Sequence, residues 1–244
     1  LQTLISPSDA GSKKTLGTVV VTGGASGLGA AIADAVARHG GTPVTFDIQT
    51  PREPRGYDHR FVDVADRDAV ESAIEAVAKK NGGVLDAIVA NAGMDACGDF
   101  DKVDADAWER VIRVNLIGTA SLCRAAIPYL ERASNPRIVC IASTLGHRVL
   151  GAASAYSASK FGVVGFTRAL ALDLAGRIGV TLFSPGGMNT HFFDGRDPQF
   201  KPAADAFEKN QLNDPNNVAE AVVFALMQPK GCEIREMIVT PSRE

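Results

Sequence analysis

No pair of cysteines in this chain stands at CxxC spacing, and none has a histidine placed to complete a metal set. Cys97, Cys123, Cys140 and Cys232 are therefore not expected to hold a metal, and two of them fall in apolar runs where cysteine behaves as a small hydrophobe. Basic residues are not in surplus: the net charge is −3 and the pI about 5.9, which excludes the electrostatic footprint of a nucleic-acid binder. No apolar run approaches membrane-spanning length, so no membrane partner is expected. No internal repeat, low-complexity tract or linker divides the chain either. Free cysteines, and the lack of a signal-like apolar segment after a charged start, fit a reducing, cytoplasmic setting. The chain opens at Leu1 rather than Met. Its "LQTLISPSDAGSKK" reads as a trimmed or engineered start, with residues 1–15 a loosely held arm.

What is present is a regular alternation over residues 16–244, read as one α/β domain. Its length and 45% hydrophobic content suit one large core. Short β-branched runs at 18–22, 42–47, 60–64, 85–91, 137–143, 179–185 and 236–240 predict about seven strands. Between them, apolar residues recur three and four apart at 29–40, 67–81, 104–133, 154–176 and 215–228, which predicts helices. Asp66, Asp104 and Ser154 stand near the predicted helix starts, and Gly40, Gly82 and Gly176 near the ends. The pattern predicts a Rossmann-type doubly wound parallel sheet with helices on both faces. The segment 187–214 breaks the rhythm; it is Gly-, Asn-, Asp- and Pro-rich and reads either as a substrate loop or as an excursion pinned by its phenylalanines.

"TVVVTGGASGLGAAIADAV" places Gly23, Gly27 and Gly29 where a strand turns into a helix. Absent side chains there let backbone N–H groups and the positive helix end approach a pyrophosphate. Asp47 closes the second strand, 18 residues after Gly29, where a carboxylate accepts both ribose hydroxyls and repels a 2′-phosphate. Neither Ser26 nor Ile48 offers a base to neutralise that phosphate, so NAD is expected over NADP. Asp47 also reads simply as a strand-end turn residue. Farther along, Tyr156 and Lys160 stand four apart on a helix and can address one bound molecule. An ammonium beside a phenol is expected to lower its pKa from about 10. Ser143 ends a strand at the carboxyl edge of the sheet, where α/β proteins bind ligands. Asn115, an amide among apolar helical neighbours, calls for partners and also reads as a helix-kinking buried group.

With "TGGASGLG" (22–29), "NAG" (91–93), Asn115, Ser143, "YSASK" (156–160) and "PGGMNT" (185–190), the chain resembles the short-chain dehydrogenase/reductase superfamily, in its compact branch, over roughly residues 17–240. The resemblance implies an NAD-dependent oxidoreductase interconverting a secondary alcohol and a carbonyl. Tyr156 would be the general acid/base, Lys160 its partner and ribose ligand, Ser143 the holder of the reacting oxygen, and Asn115 the holder of a proton-relaying water. Cofactor contacts would come from Gly23, Ser26, Gly27, Leu28, Gly29, Asp47 and Ile48. Asp63 and Val64 would meet the adenine, and Asn91, Ala92 and Gly93 the ribose side. Pro185, Gly186, Met188 and Thr190 would flank the nicotinamide, with Gly187 loosening the turn. Substrate groups are expected from 94–100, 144–155 and 187–214, with Met94, Leu150, Met188 and Phe192 as an apolar wall. His147 and Arg148 read either as an anion-attracting pair or as a solvated one. The implied partner is a small-molecule alcohol or carbonyl, and the helices 104–133 and 154–176 imply a homodimer or homotetramer. The alternative is a non-catalytic NAD-binding regulatory protein, or a scaffold holding its cofactor structurally.

Overall fold

The computed structural model describes residues 16–243, so the expected arm at 1–15 lies outside the described residues. Seven parallel strands form one sheet: β1 (Thr18–Thr22), β2 (Thr42–Asp47), β3 (Asp58–Phe61), β4 (Ala87–Ala90), β5 (Arg137–Ile141), β6 (Gly179–Pro185) and β7 (Glu236–Val239). Their order is β3-β2-β1-β4-β5-β6-β7. The chain runs outward from β1 to β3 and then returns to lay β4 against the other side of β1. At that reversal the connecting segments leave in opposite directions and open a crevice at the carboxyl ends of β1 and β4.

Burial on both faces explains why the strands read as unbroken apolar runs rather than as alternating ones. Val20, Phe46, Ile88, Ile138 and Leu182 pack under α2 (Arg67–Lys80), α4 (Gly118–Leu130) and α5 (Ser154–Asp173). Their chain neighbours Val19, Val21, Val89, Val139 and Phe183 point the other way, under α1 (Gly27–Arg38) and α6 (Pro215–Leu226). The side-chain period of two thus sorts one run into two cores.

The predicted helix 104–133 is two helices. α3 (Ala105–Ile112) and α4 are joined by a π-helical turn, Arg113–Ile117, which holds Asn115. The third strand starts two residues and ends three residues earlier than expected. Phe61 pairs with Asp47, the last residue of β2, so beyond Val62 the chain has no ladder partner and carries Asp63 and Val64 to the crevice. Asp66 caps α2 by accepting from Asp68 N and Ala69 N, and Asp104 caps α3 by accepting from Ala107 N. Ser154 does not cap α5; its hydroxyl accepts from the Trp108 indole at 3.1 Å.

Candidate active site

A cleft of about 1050 Å³ runs across the carboxyl edge of the sheet, and every residue expected at the site lines it except Asn115. Cys97, Arg110, Arg148 and Arg196 line it as well.

At the β1–α1 turn, the geometry excludes side chains. Gly23 has φ +69°, and a Cβ on Gly29 would lie 2.0 Å from the Gly23 carbonyl oxygen. Ser26 precedes α1 with extended backbone, makes no side-chain cap, and is followed by no acidic residue in the first turn. The first N–H groups of α1 therefore keep their donors, and the positive helix end faces the cleft uncompensated. These features fit a pyrophosphate. Thr22 welds this turn to the end of β4: its Oγ1 accepts from Asn91 N and Ala92 N, both at 3.0 Å, while Asn91 Nδ2 donates to Thr22 O at 2.9 Å.

Asp47 leaves β2 with Oδ2 accepting from Ala25 N at 2.9 Å and Oδ1 from Gln49 N at 3.0 Å. The carboxylate is fixed by backbone, and each oxygen retains a lone pair toward the cleft. Asp63 accepts from Ala65 N at 2.9 Å and from Arg110 Nη2 at 2.6 Å. Burial pushes its carboxyl up, but the Arg110 guanidinium and the Ala65 N–H together hold it below the usual range.

The reacting end of the cleft is built by α5, β5 and the π turn. Lys160, 3% exposed, donates from Nζ to Ile141 O at 2.9 Å, and this nitrogen lies 5.6 Å from the centre of the Tyr156 ring. Burial lowers the Lys160 amine to about 8. Tyr156 moves opposite to the sequence expectation: burial pushes its phenol up to about 12, and the hydrogen bond with Ser143 recovers only part of that. The reason is position. Lys160 Nζ stands against the ring and the β5 carbonyl rather than at the hydroxyl, so desolvation of the phenolate outweighs the neighbouring amine. Ser143 accepts from Leu145 N at 3.1 Å, which fixes its side chain at the end of β5.

Asn115 is fully buried, and both of its amide hydrogens and one lone pair of its oxygen are used. Nδ2 donates to Met94 O and to Ser159 Oγ, each at 2.9 Å, and Oδ1 accepts from Met94 N at 2.8 Å. The side chain ties the π turn to the segment after β4 and to α5. Ser159 completes the link by donating to Tyr156 O at 2.7 Å.

The third wall comes from the segment after β6. Gly187 does not loosen it: Asn213 N donates to Gly187 O at 2.9 Å and Asn189 N to Asn213 O at 3.0 Å, so the segment starts and returns at one point. Between these ends are two 3-10 turns, His191–Phe193 and Pro198–Phe200. Thr190 Oγ1 accepts from Phe192 N, and the Phe192 ring meets Tyr156 edge-on at 5.6 Å. Arg196 pairs with Asp95, 101 residues earlier in the chain. His147 turns away from the cleft to Ser184 Oγ at 2.9 Å, with Glu236 at 3.8 Å. Arg110, Ser159, Thr22 and the Asp95–Arg196 pair were missed from sequence. Only Thr22, at the head of the glycine loop, carried any local signal.

Residues 17–200 match the family described as short chain dehydrogenase. An uncharacterized oxidoreductase of Staphylococcus saprophyticus is 32% identical over 91% of this chain and 96% of its own length. Cis-4-hydroxycyclohexanecarboxylate dehydrogenase of Sinomonas cyclohexanicum is 34% identical over 84% of this chain and 87% of its own. A short-chain dehydrogenase from Burkholderia cenocepacia, solved in complex with NADP, superposes with a TM-score of 0.79 at 28% identity over 94% of this chain and 98% of that one. The chain belongs to the short-chain dehydrogenase family and is an oxidoreductase by that membership. Among the described residues, no helix is long and apolar enough to cross a membrane.

Proposed function

We propose that the chain interconverts a secondary alcohol and a carbonyl with NAD, Tyr156 being the proton donor and acceptor. The observation that carries this is the convergence of Tyr156, Ser143 and Lys160, from α5 and β5, on one end of a cleft whose other end is an uncapped helix N-terminus. When bound, the nicotinamide gives or takes a hydride, and its oxidised ring adds a positive charge to the site. Gly23, Ser26, Gly27, Leu28 and Gly29 would hold the pyrophosphate, and Asp47, with Ile48 beside it, the adenosine ribose. Asp63 and Val64 would meet the adenine, and Asn91, Ala92 and Gly93 the inner ribose. Pro185, Gly186, Met188 and Thr190 would face the nicotinamide. The preference for NAD is supported by the Asp47 carboxylate at the end of β2, which would repel a 2′-phosphate.

Ser143 would orient the reacting oxygen beside the Tyr156 hydroxyl. A phenol held near 12 is a proton donor at neutral pH, so carbonyl reduction is expected to run there, while alcohol oxidation rises with pH as phenolate becomes accessible. Lys160 would position the phenol and the ribose, and Asn115 would act as a positioning residue. The secondary-alcohol class is supported by the relative named for a hydroxycyclohexanecarboxylate, whose hydroxyl is of that kind. Oligomer formation is supported by Ile117, Phe161 and Leu172, large apolar side chains exposed along the π turn and α5.

The test screens alcohols and carbonyls for absorbance change of the reduced nicotinamide, then compares Tyr156→Phe with wild type. A loss of about 10²–10⁴ in turnover with NAD binding retained supports the assignment. Near-wild-type turnover in Tyr156→Phe refutes it, and a wild type that binds NAD yet turns over nothing favours the regulatory alternative.

A further inference from the structure

Of the two backbone N–H groups that hold Asp47, one is itself held from behind. Asp47 Oδ1 accepts from Gln49 N at 3.0 Å, so the carboxylate is aimed by wherever Gln49 lies. Gln49 stands two residues beyond the end of β2 and lines the cleft from outside any strand. Its carbonyl oxygen is taken by His59 Nε2 at 2.9 Å. His59 is on β3, at the edge of the sheet and opposite Thr45 of β2 in the ladder, and it does not itself line the cleft.

The partners of the ring fix its hydrogens. A carbonyl oxygen can only accept, so Nε2 carries a hydrogen in the neutral ring and in the charged one. In the neutral ring Nδ1 is then an acceptor, and Thr45 Oγ1, at 2.9 Å, supplies the donor. In the charged ring Nδ1 donates to Thr45 Oγ1, whose own hydrogen is free for Asp58 O at 3.4 Å. Thr45 is fully buried, and a Cβ on Gly24 would lie 2.5 Å from its Cβ and Cγ2, so the threonine packs directly against the glycine turn. The imidazole thus spans from that turn to the residue that orients Asp47. Asp47 Oδ2 closes the ring of contacts by accepting from Ala25 N, in the same turn.

We infer, on the reading of Asp47 as the adenosine-ribose ligand, that His59 is a positioning residue for cofactor binding: through Gln49 it holds the Asp47 carboxylate in the orientation that accepts from the ribose hydroxyls. Without this support Asp47 keeps its charge but spreads its oxygens over several orientations, and hydrogen bonds weaken steeply with misalignment. The effect falls on the ribose hydroxyls and leaves the N–H groups at the start of α1 alone. A histidine that merely pinned an edge strand would contribute stability and leave the hydroxyl preference as it is.

The test measures binding of 5′-AMP and 2′-deoxy-5′-AMP to the full chain by calorimetry, the ratio of the two giving the worth of the 2′-hydroxyl. In wild type, 5′-AMP is expected to bind about tenfold more tightly. In His59→Asn, whose shorter amide reaches toward Thr45 but not Gln49, that preference is expected to fall to about twofold. In His59→Gln, whose Nε2 takes the place of the imidazole Nε2, it is expected to return. In an Asp47→Ala background, His59→Asn is expected to change the ratio no further. Equal preference in wild type and His59→Asn, failure of His59→Gln to rescue, or a further loss on top of Asp47→Ala overturns the inference. Nitrogen NMR of the histidine-labelled wild type needs no variant to fold: a neutral His59 ring protonated at Nε2 is expected, and one protonated at Nδ1 overturns the inference. A wild type that binds both nucleotides equally removes the ribose reading of Asp47 and the inference with it, whereas a wild-type preference that His59→Asn leaves untouched removes the inference alone.

Discussion

The two halves of the cleft are built differently. The half proposed for the cofactor, from Gly23 to Gly93, is made of strand ends and one helix start and is held by side chains accepting from backbone N–H groups: Thr22 from Asn91 and Ala92, Asp47 from Ala25 and Gln49. The substrate half, drawn from 94–100, 144–151 and 187–214, is made of turns joined by side chains, chiefly the Asp95–Arg196 pair and the Phe192 and Phe193 rings. Side chains that accept from backbone N–H groups fix the course of the main chain itself. Pairing side chain with side chain joins residues far apart in the chain.

The sharpest way to break the comparison is Gly29→Ala. Its Cβ would meet the Gly23 carbonyl at 2.0 Å, so the whole turn must move. NAD affinity is expected to fall at least a hundredfold by fluorescence titration, and unfolding free energy in urea by about 3 kcal/mol. An Ala variant that binds NAD normally would show that the turn is not rigid.

Lys160 belongs to both halves and gives a pH signature in the NAD-free protein. Its amine is lowered to about 8 against an unfolded value of 10.5, so below pH 8 the unfolded chain carries the charge in water while the folded one must bury it. Between about pH 8 and 10.5 the unfolded state binds more protons, and stability rises with pH. Relative to Lys160→Met, wild type is expected to gain about 3 kcal/mol across that window in urea melts, and a constant difference would contradict the buried amine.

Asp47→Ala should leave folding intact and raise the NAD-to-NADP ratio of Kd about tenfold, since it removes ribose hydrogen bonds and the repulsion of a 2′-phosphate together. An unchanged ratio would reduce Asp47 to a turn residue. The smallest effect is expected from Arg110→Ala. Its ion pair with Asp63 is about one-third exposed, so solvent screening limits the loss of stability to under about 1 kcal/mol by thermal denaturation.

The legibility of the sequence follows the same division. The sheet was readable because strands buried on both faces must be apolar throughout, and the glycine loop because close approach forbids side chains at fixed spacing. The break at Asn115 was legible only as one of two readings of a buried amide: the run 104–133 keeps helical periodicity across it, and the partners of the amide, Met94 and Ser159, come from other elements. The phenol of Tyr156 was misjudged for a related reason. Helical spacing put the amine on the correct face, but only the packed structure directs Lys160 Nζ to Ile141 O and leaves burial to dominate the phenol.

By itself, then, the sequence determined the parallel α/β architecture, the glycine turn that excludes side chains and the placing of Tyr156 and Lys160 on one helix face, because each is written in local period or spacing. The tertiary structure decided the partners of Asn115, the direction of the Tyr156 shift and the meeting of Asp95 with Arg196. Those depend on groups up to 101 residues apart being brought within hydrogen-bond reach, and on how much water the packing leaves around them.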